Sequence, residues 1–115
     1  MDRKQVLKNF LENLHRISNK DYQERIWING LGPDCHDFDE AVCDFFDDGN
    51  LILKDYSDFE LTPDQYQILK HFRDKFRIFA DANDLPEEFI DTPEWAKIMS
   101  MAKDVLKVFG YTVTP

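Results

Sequence analysis

At 115 residues with a formal net charge of −9 and a pI near 4.6, the chain has room for one domain and too few clustered cations for nucleic acid. Hydrophobic residues make up 43% and ten are Phe, which excludes an acidic disordered chain. A membrane-spanning helix needs about 18 consecutive apolar residues, and the sequence has no such run.

The N-terminal stretch, MDRKQVLKNFLENLH, is charged throughout and cannot serve as the apolar core of a signal peptide. Cytoplasmic residence is the expectation. Within it a first helix is expected, because Val6, Leu7, Phe10, Leu11, Leu14 and Ile17 recur at the spacing of one helical face. Asp2 suits its N-cap, and the polar string Ser18-Asn19-Lys20-Asp21 ends it. Arg25-Ile26-Trp27-Ile28 follows, aliphatic and flanked by turn residues.

A second helix is expected after Gly30-Leu31-Gly32-Pro33, with Asp34 or Asp37 as its cap and Glu40 completing a near capping box with Asp37. Phe38, Ala41, Val42, Phe45 and Phe46 line its apolar face, and Gly49 is its expected end. Leu51-Ile52-Leu53 then either pairs with Arg25–Ile28 as a minimal ribbon or packs as an extended segment. A third helix opens at Thr62-Pro63-Asp64, with Tyr66, Leu69, Phe72, Phe76 and Phe79 on one face, and Asn83-Asp84-Leu85-Pro86 breaks it. The fourth repeats the device with Thr92-Pro93-Glu94, buries Trp95, Ile98, Met99, Ala102, Val105, Leu106 and Phe109, and ends at Gly110. The expected fold is all-α: a single compact domain over residues 1–115 with about four helices and at most a minor two-stranded ribbon.

The charge is local. Between Asp34 and Asp64 lie eleven acidic residues and a single basic one, Lys54, so that window carries −10 and the remainder +1. Each helical residue advances about 100°. On that wheel Glu40 and Asp47 lie opposite the apolar face, with Asp37, Asp44 and Asp48 on one flank and Asp39 towards the other. Like charges three and four apart repel by about 0.2–0.5 kcal/mol per pair. With the helix ending at Gly49, Asp44, Asp47 and Asp48 are also expected near its C-terminus, where the dipole opposes them. A solvated face would interleave cations, as the first helix does with Arg3, Lys4 and Lys8. A stripe of one sign points to docking on a basic surface, and the plain alternative is a solubilising surface.

Catalytic chemistry finds little support. His15 and His71 lie beside apolar stripes and His36 stands alone, so no nucleophile has a base and an orienting group. Cys35 and Cys43, eight apart, are expected as free thiols, Cys43 facing solvent. With His36 they make a partial metal set that no second CxxC or HxxxH completes. Asp44 to Asp55 fails as a calcium loop, since Phe46 occupies a ligand position and Asp55 stands where a bidentate Glu belongs. Gly30-Leu31-Gly32-Pro33 lacks the third glycine and the lysine of a phosphate loop. No cofactor and no enzyme activity are expected.

The segment Arg25-Ile26-Trp27-Ile28-Asn29-Gly30-Leu31-Gly32-Pro33-Asp34-Cys35-His36-Asp37-Phe38-Asp39-Glu40, with Phe45-Phe46-Asp47-Asp48-Gly49 after it, resembles small acidic bacterial immunity proteins. These accompany polymorphic toxins, including those of contact-dependent growth inhibition. The resemblance implies a cytosolic inhibitor that binds one cognate toxin, often a nuclease, and blocks its active site or an adjacent surface. Independently, a row of carboxylates on a helix suits the cationic groove of a nuclease, and complementary fields speed association. The candidate binding residues are Asp37, Asp39, Glu40, Asp44, Asp47 and Asp48 for electrostatic recognition, with Trp27 and Tyr56 as candidate anchors. The rival function is a non-enzymatic adaptor that meets some other basic protein. Oligomeric state is open.

Overall fold

Side-chain caps set where the main helices begin. In the computed structural model, which describes residues 2–30 and 37–111, α1 (Arg3–Ser18) starts at Asp2, whose carboxylate accepts from the Lys4 and Gln5 amides at 3.0 and 3.2 Å. The α3 helix (Phe38–Lys54) starts at Asp37, which accepts from the Glu40 amide at 2.9 Å. Thr62 and Gln65 cap each other reciprocally at the start of α4 (Pro63–Ala82). Thr92 accepts from the Trp95 amide at 3.2 Å and opens α6 (Pro93–Val108). Two single turns join them, α2 (Lys20–Tyr22) and α5 (Pro86–Phe89), and a π-helical turn spans Gln23–Ile28. The fold is all-α and forms one globule, and the described residues include no strand.

The four long helices form a closed ring: α1 lies against α3 and α6, and α4 against α3 and α6. Their apolar faces meet in an aromatic interior that buries nine of the ten phenylalanines. Trp95 sits at its centre, fully buried, with the rings of Phe89, Phe79, Phe38 and Trp27 between 4.8 and 6.1 Å away. Tilted and edge-on geometries dominate, as ring quadrupoles favour.

Two expectations need correction. Gly49 does not end the acidic helix; α3 runs on to Lys54. A helical glycine costs about 1 kcal/mol. Continuing the helix buries Ile52 and Leu53, each contributing about 1.5–3 kcal/mol, so burial wins. Gly49 serves close packing instead, because a Cβ there would lie 3.3 Å from Phe10 Cε1 on α1. The ribbon is also absent: Leu51–Leu53 belongs to the last turns of α3, and Arg25–Ile28 lies in the π-helical turn. Backbone amides already satisfied within helices have nothing to offer a strand partner.

Gln23 ties the fold together at one end. Fully buried, its Nε2 donates to the carbonyls of Arg16 (3.1 Å) and Ile17 (2.8 Å) near the end of α1. Its Oε1 accepts from Trp95 Nε1 at 2.8 Å. One amide thus satisfies two helix-terminal carbonyls and the central indole, groups that are costly to leave unpaired.

Two of the chain's turns close with the same hydrogen-bond pattern. After α6, Tyr111 N donates to Leu106 O and Gly110 N to Lys107 O, with Gly110 at φ +71°. After α3, Leu61 N donates to Tyr56 O and Glu60 N to Ser57 O, but the left-handed position at φ +58° holds Glu60. A glycine is relaxed there and a glutamate is strained.

Replacing Gln23 with Ala is expected to lower unfolding stability by about 3 kcal/mol, because it orphans the Ile17 carbonyl and the Trp95 indole N–H at about 1–3 kcal/mol each, while the Arg16 carbonyl keeps the Asn19 amide. Urea titration followed by circular dichroism measures it. Glu60→Gly is expected to do the opposite, raising stability by about 0.5–1 kcal/mol in the same assay.

Candidate protein-binding surface

The inner face of α3 is held by Phe38, Ala41, Phe45, Phe46, Gly49, Ile52 and Leu53, all buried. At about 100° per residue this leaves Glu40 and Asp47 pointing straight outward, with Asp44 on the shoulder towards α1 and Asp39 on the shoulder towards α4. Asp37, Asp39, Glu40, Asp44 and Asp47 are exposed, and Asp48 is half-buried. The structure therefore brings together all six carboxylates singled out from sequence, on one rigid element. No ion pair among the described residues involves Asp39, Glu40 or Asp47. Asp34, Cys35 and His36 lie outside the described residues. Cys43 is an exposed free thiol on the same outward side.

Extending α3 to Lys54 changes the electrostatics. Asp44, Asp47 and Asp48 are mid-helix and not at its C-terminus, and the dipole effect fades within the last turn. Lys54 occupies that last turn, where a cation is favoured. What opposes these carboxylates is chiefly one another. Burial pushes the Asp48 carboxyl above its usual range, and Asp44 and Asp47 push in the same direction.

Arginines border the stripe on the α4 side. The Arg77 guanidinium lies 4.3 Å from the centre of the Phe46 ring, and Arg73 donates to Asn50 Oδ1 at 3.3 Å. They pair with their own helix, Arg73 with Asp74 at 3.0 Å and Arg77 with Asp81 at 3.9 Å. Sequence reasoning missed this boundary, because nothing in the spacing of α3 or α4 alone shows which flanks meet. The surface between α1 and α6 is different again. A cavity of about 620 Å³ between the C-terminal ends of α1 and α6 is lined by His15, Lys20, Lys103, Lys107 and Tyr111, among others. Its lysines are accompanied by Asp21 in the lining, and Lys20 pairs with Asp91 at 2.7 Å.

The two candidate anchors part ways. Trp27 is only 9% exposed, its ring packed against Tyr22, Phe38 and Trp95, so it offers a partner no more than an edge. Its Nε1 is buried with no hydrogen-bond partner. Tyr56 is 49% exposed, just beyond the end of α3, and its ring meets Tyr66 edge-on at 5.0 Å. Asp55, Asp58, Glu60 and Asp64 continue the acidic run through this loop into α4, and Phe59, buried, pins the loop to the core. Among these four, Asp58 pairs with Arg3 at 3.6 Å. This chain matches no protein-family model, no curated protein and no solved structure.

A raised carboxyl pKa means that the folded state holds the Asp48 proton more tightly than the unfolded chain does. Its stabilising contribution is fully present below the unfolded pKa, near 3.9, and is lost as pH rises through the folded value. Asp48→Asn removes that loss. It is expected to raise stability at pH 7 by about 0.2–0.5 kcal/mol, with the gain vanishing near pH 3. Thermal melts of both proteins across that range give the comparison.

Proposed function

We propose that this protein is an immunity protein that neutralises a basic protein toxin, most simply a nuclease of a contact-dependent or other polymorphic system, by docking the outer face of α3 on the toxin. The observation that carries this reading is the row of solvent-facing carboxylates, Asp39, Glu40, Asp44 and Asp47, on a helix whose inner face is locked into the aromatic core. Asp39 and Glu40 lie in the first turn, where the helix dipole favours them, but Glu40, Asp44 and Asp47 repel one another at spacings of four and three, so a second use accounts for that row better than folding does. The resemblance of residues 25–49 to acidic immunity proteins points the same way.

The physics suits an antidote. A fixed negative stripe steers a cationic groove into register, raising association towards about 10⁸–10⁹ M⁻¹s⁻¹ at low salt. A nuclease groove is lined with cations that hold phosphates, and a row of carboxylates can occupy it without any chemistry. The half-exposed Tyr56 lies beyond the C-terminal end of the stripe, where an aromatic anchor adds residence time.

Affinity capture from the source cells at low salt, eluted with a salt gradient, is expected to return one stoichiometric basic protein that survives well above physiological salt. Many basic proteins released together at modest salt would favour the adaptor or sticky-surface alternative. With the partner in hand, the triple reversal Glu40→Lys, Asp44→Lys and Asp47→Lys is expected to weaken binding on the order of a hundredfold, mostly through slower association. Circular dichroism of the variant is expected to be unchanged, because all three side chains are exposed. Undiminished affinity in a folded triple variant rules out the α3 mechanism.

A further inference from the structure

Beside the α3 stripe lies a small cleft with a different chemistry. Tyr56, Leu61, Thr62, Pro63, Tyr66 and Gln67 enclose about 290 Å³ where the loop after α3 meets the first turns of α4. The two tyrosine rings meet at 60°, so they form two walls of a corner. Cavities for whole small-molecule ligands run from about 300 to 1,000 Å³, so this one lies at the small end of that range. Its walls are mainly aromatic and aliphatic, with Thr62 and Gln67 polar, and its lining residues are interspersed in sequence with Asp55, Glu60 and Asp64.

Charge decides what fits. Asp55, Glu60 and Asp64 flank the lining residues in sequence, and no ion pair among the described residues involves any of them. Asp58 is the exception, engaged by Arg3. Aromatic faces attract a cation through the ring quadrupole, and nearby carboxylates add attraction without needing direct contact. A neutral side chain gains only the apolar part of this, and an anionic one is repelled.

Glu60 adds a separate pointer. It holds the left-handed position at φ +58° that closes this loop, where glycine would be relaxed and where Gly110 stands in the matching turn after α6. The chain keeps a carboxylate-bearing residue at a strained position next to Leu61, which lines the cleft. Strain of that kind is a reason to look for a role.

We propose that the Tyr56–Tyr66 cleft is the receptor for one lysine or arginine side chain of the protein partner, held by the two rings and by the carboxylates of Asp55, Glu60 and Asp64. This deepens the docking reading given above and rests on it for the existence of a basic partner. The cleft is distinct from the outer face of α3. It supplies what a row of exposed charges cannot, a fixed and partly enclosed seat for one cationic side chain, which sets the register of the complex.

The test uses the full chain and two capped tripeptides, Gly-Arg-Gly and its citrulline counterpart, which keeps the shape of arginine and loses its charge. Ring-proton resonances of Tyr56 and Tyr66 are followed by NMR during titration. The expected result is a saturable shift of both rings with the arginine peptide, weak in absolute affinity, and at least roughly fivefold weaker binding of the citrulline peptide. Tyr56→Ala is expected to abolish the shift at Tyr66, and Tyr56→Phe to keep it, since the ring face and not the hydroxyl carries the attraction. Glu60→Gly is expected to weaken the arginine peptide while raising the stability of the fold. Equal binding of both peptides, shifts confined to α3, or no saturable shift would each overturn the proposal. The result is independent of the α3 triple variant: arginine seated in the cleft with partner affinity indifferent to α3 charge would fault the α3 reading alone.

Discussion

A single buried amide, Gln23, sets the geometry on which the acidic surface depends. Through Nε2 it ties the last carbonyls of α1, and through Oε1 it holds the indole of Trp95 on α6. Trp95 in turn is packed against Phe38, the first residue of α3, with ring centres 6.0 Å apart. The chain of contacts therefore runs from the end of α1, through the core, to the rotational setting of the acidic helix. A helix rotated by one residue swings its side chains by about 100°, enough to carry a carboxylate from solvent towards the interior. Burying an unpaired carboxylate costs several kcal/mol, so the aromatic packing and the outward charge enforce one another.

The stripe on α3 is a small cost that the fold carries. Like-charge neighbours at three and four residues repel; at Asp48 burial raises the carboxyl pKa, and Asp44 and Asp47 add to it. The remedy available to any helix, cations interleaved along the same face, appears on α1 but not here. Arg73 and Arg77 stand at the edge of the stripe and engage α4 and the Phe46 ring. The outcome is a bounded acidic face, flanked on one side by arginines and ending at the Tyr56 loop. Such a boundary makes the field of this face directional, negative over the stripe and weaker at its α4 edge.

The aromatic density of the core gives this surface a rigid base. Rings in tilted and edge-on contact resist sliding, and Gly49 lets α1 and α3 approach to a distance that a larger residue would hold open. A helix on a rigid base has little conformational freedom left to lose, so its carboxylates keep fixed positions. The Tyr56 loop, pinned by Phe59 and closed by the strained Glu60 turn, extends the same fixed frame beyond the helix.

Much of this was determined by the sequence alone. The caps Asp2, Asp37, Thr62 and Thr92, the prolines at first helical positions and the apolar periodicity locate the four long helices, because such signals act within one or two turns. The outward stripe on α3 followed from the same 100° geometry. Only the tertiary structure decided the rest. Gly49 reads locally as a stop, yet the helix passes through it, because burial of Ile52 and Leu53 in a core built by other segments outweighs a local preference. Gln23 carries no local signal, since its partners Arg16, Ile17 and Trp95 are up to 72 residues away. Trp27 and Tyr56 look alike as exposed-anchor candidates in the chain, and packing alone buries one and bares the other. Local hydrogen bonds and periodicity are written in neighbouring residues; long-range burial is written in none of them singly, and it is burial that chose which side chains face solvent.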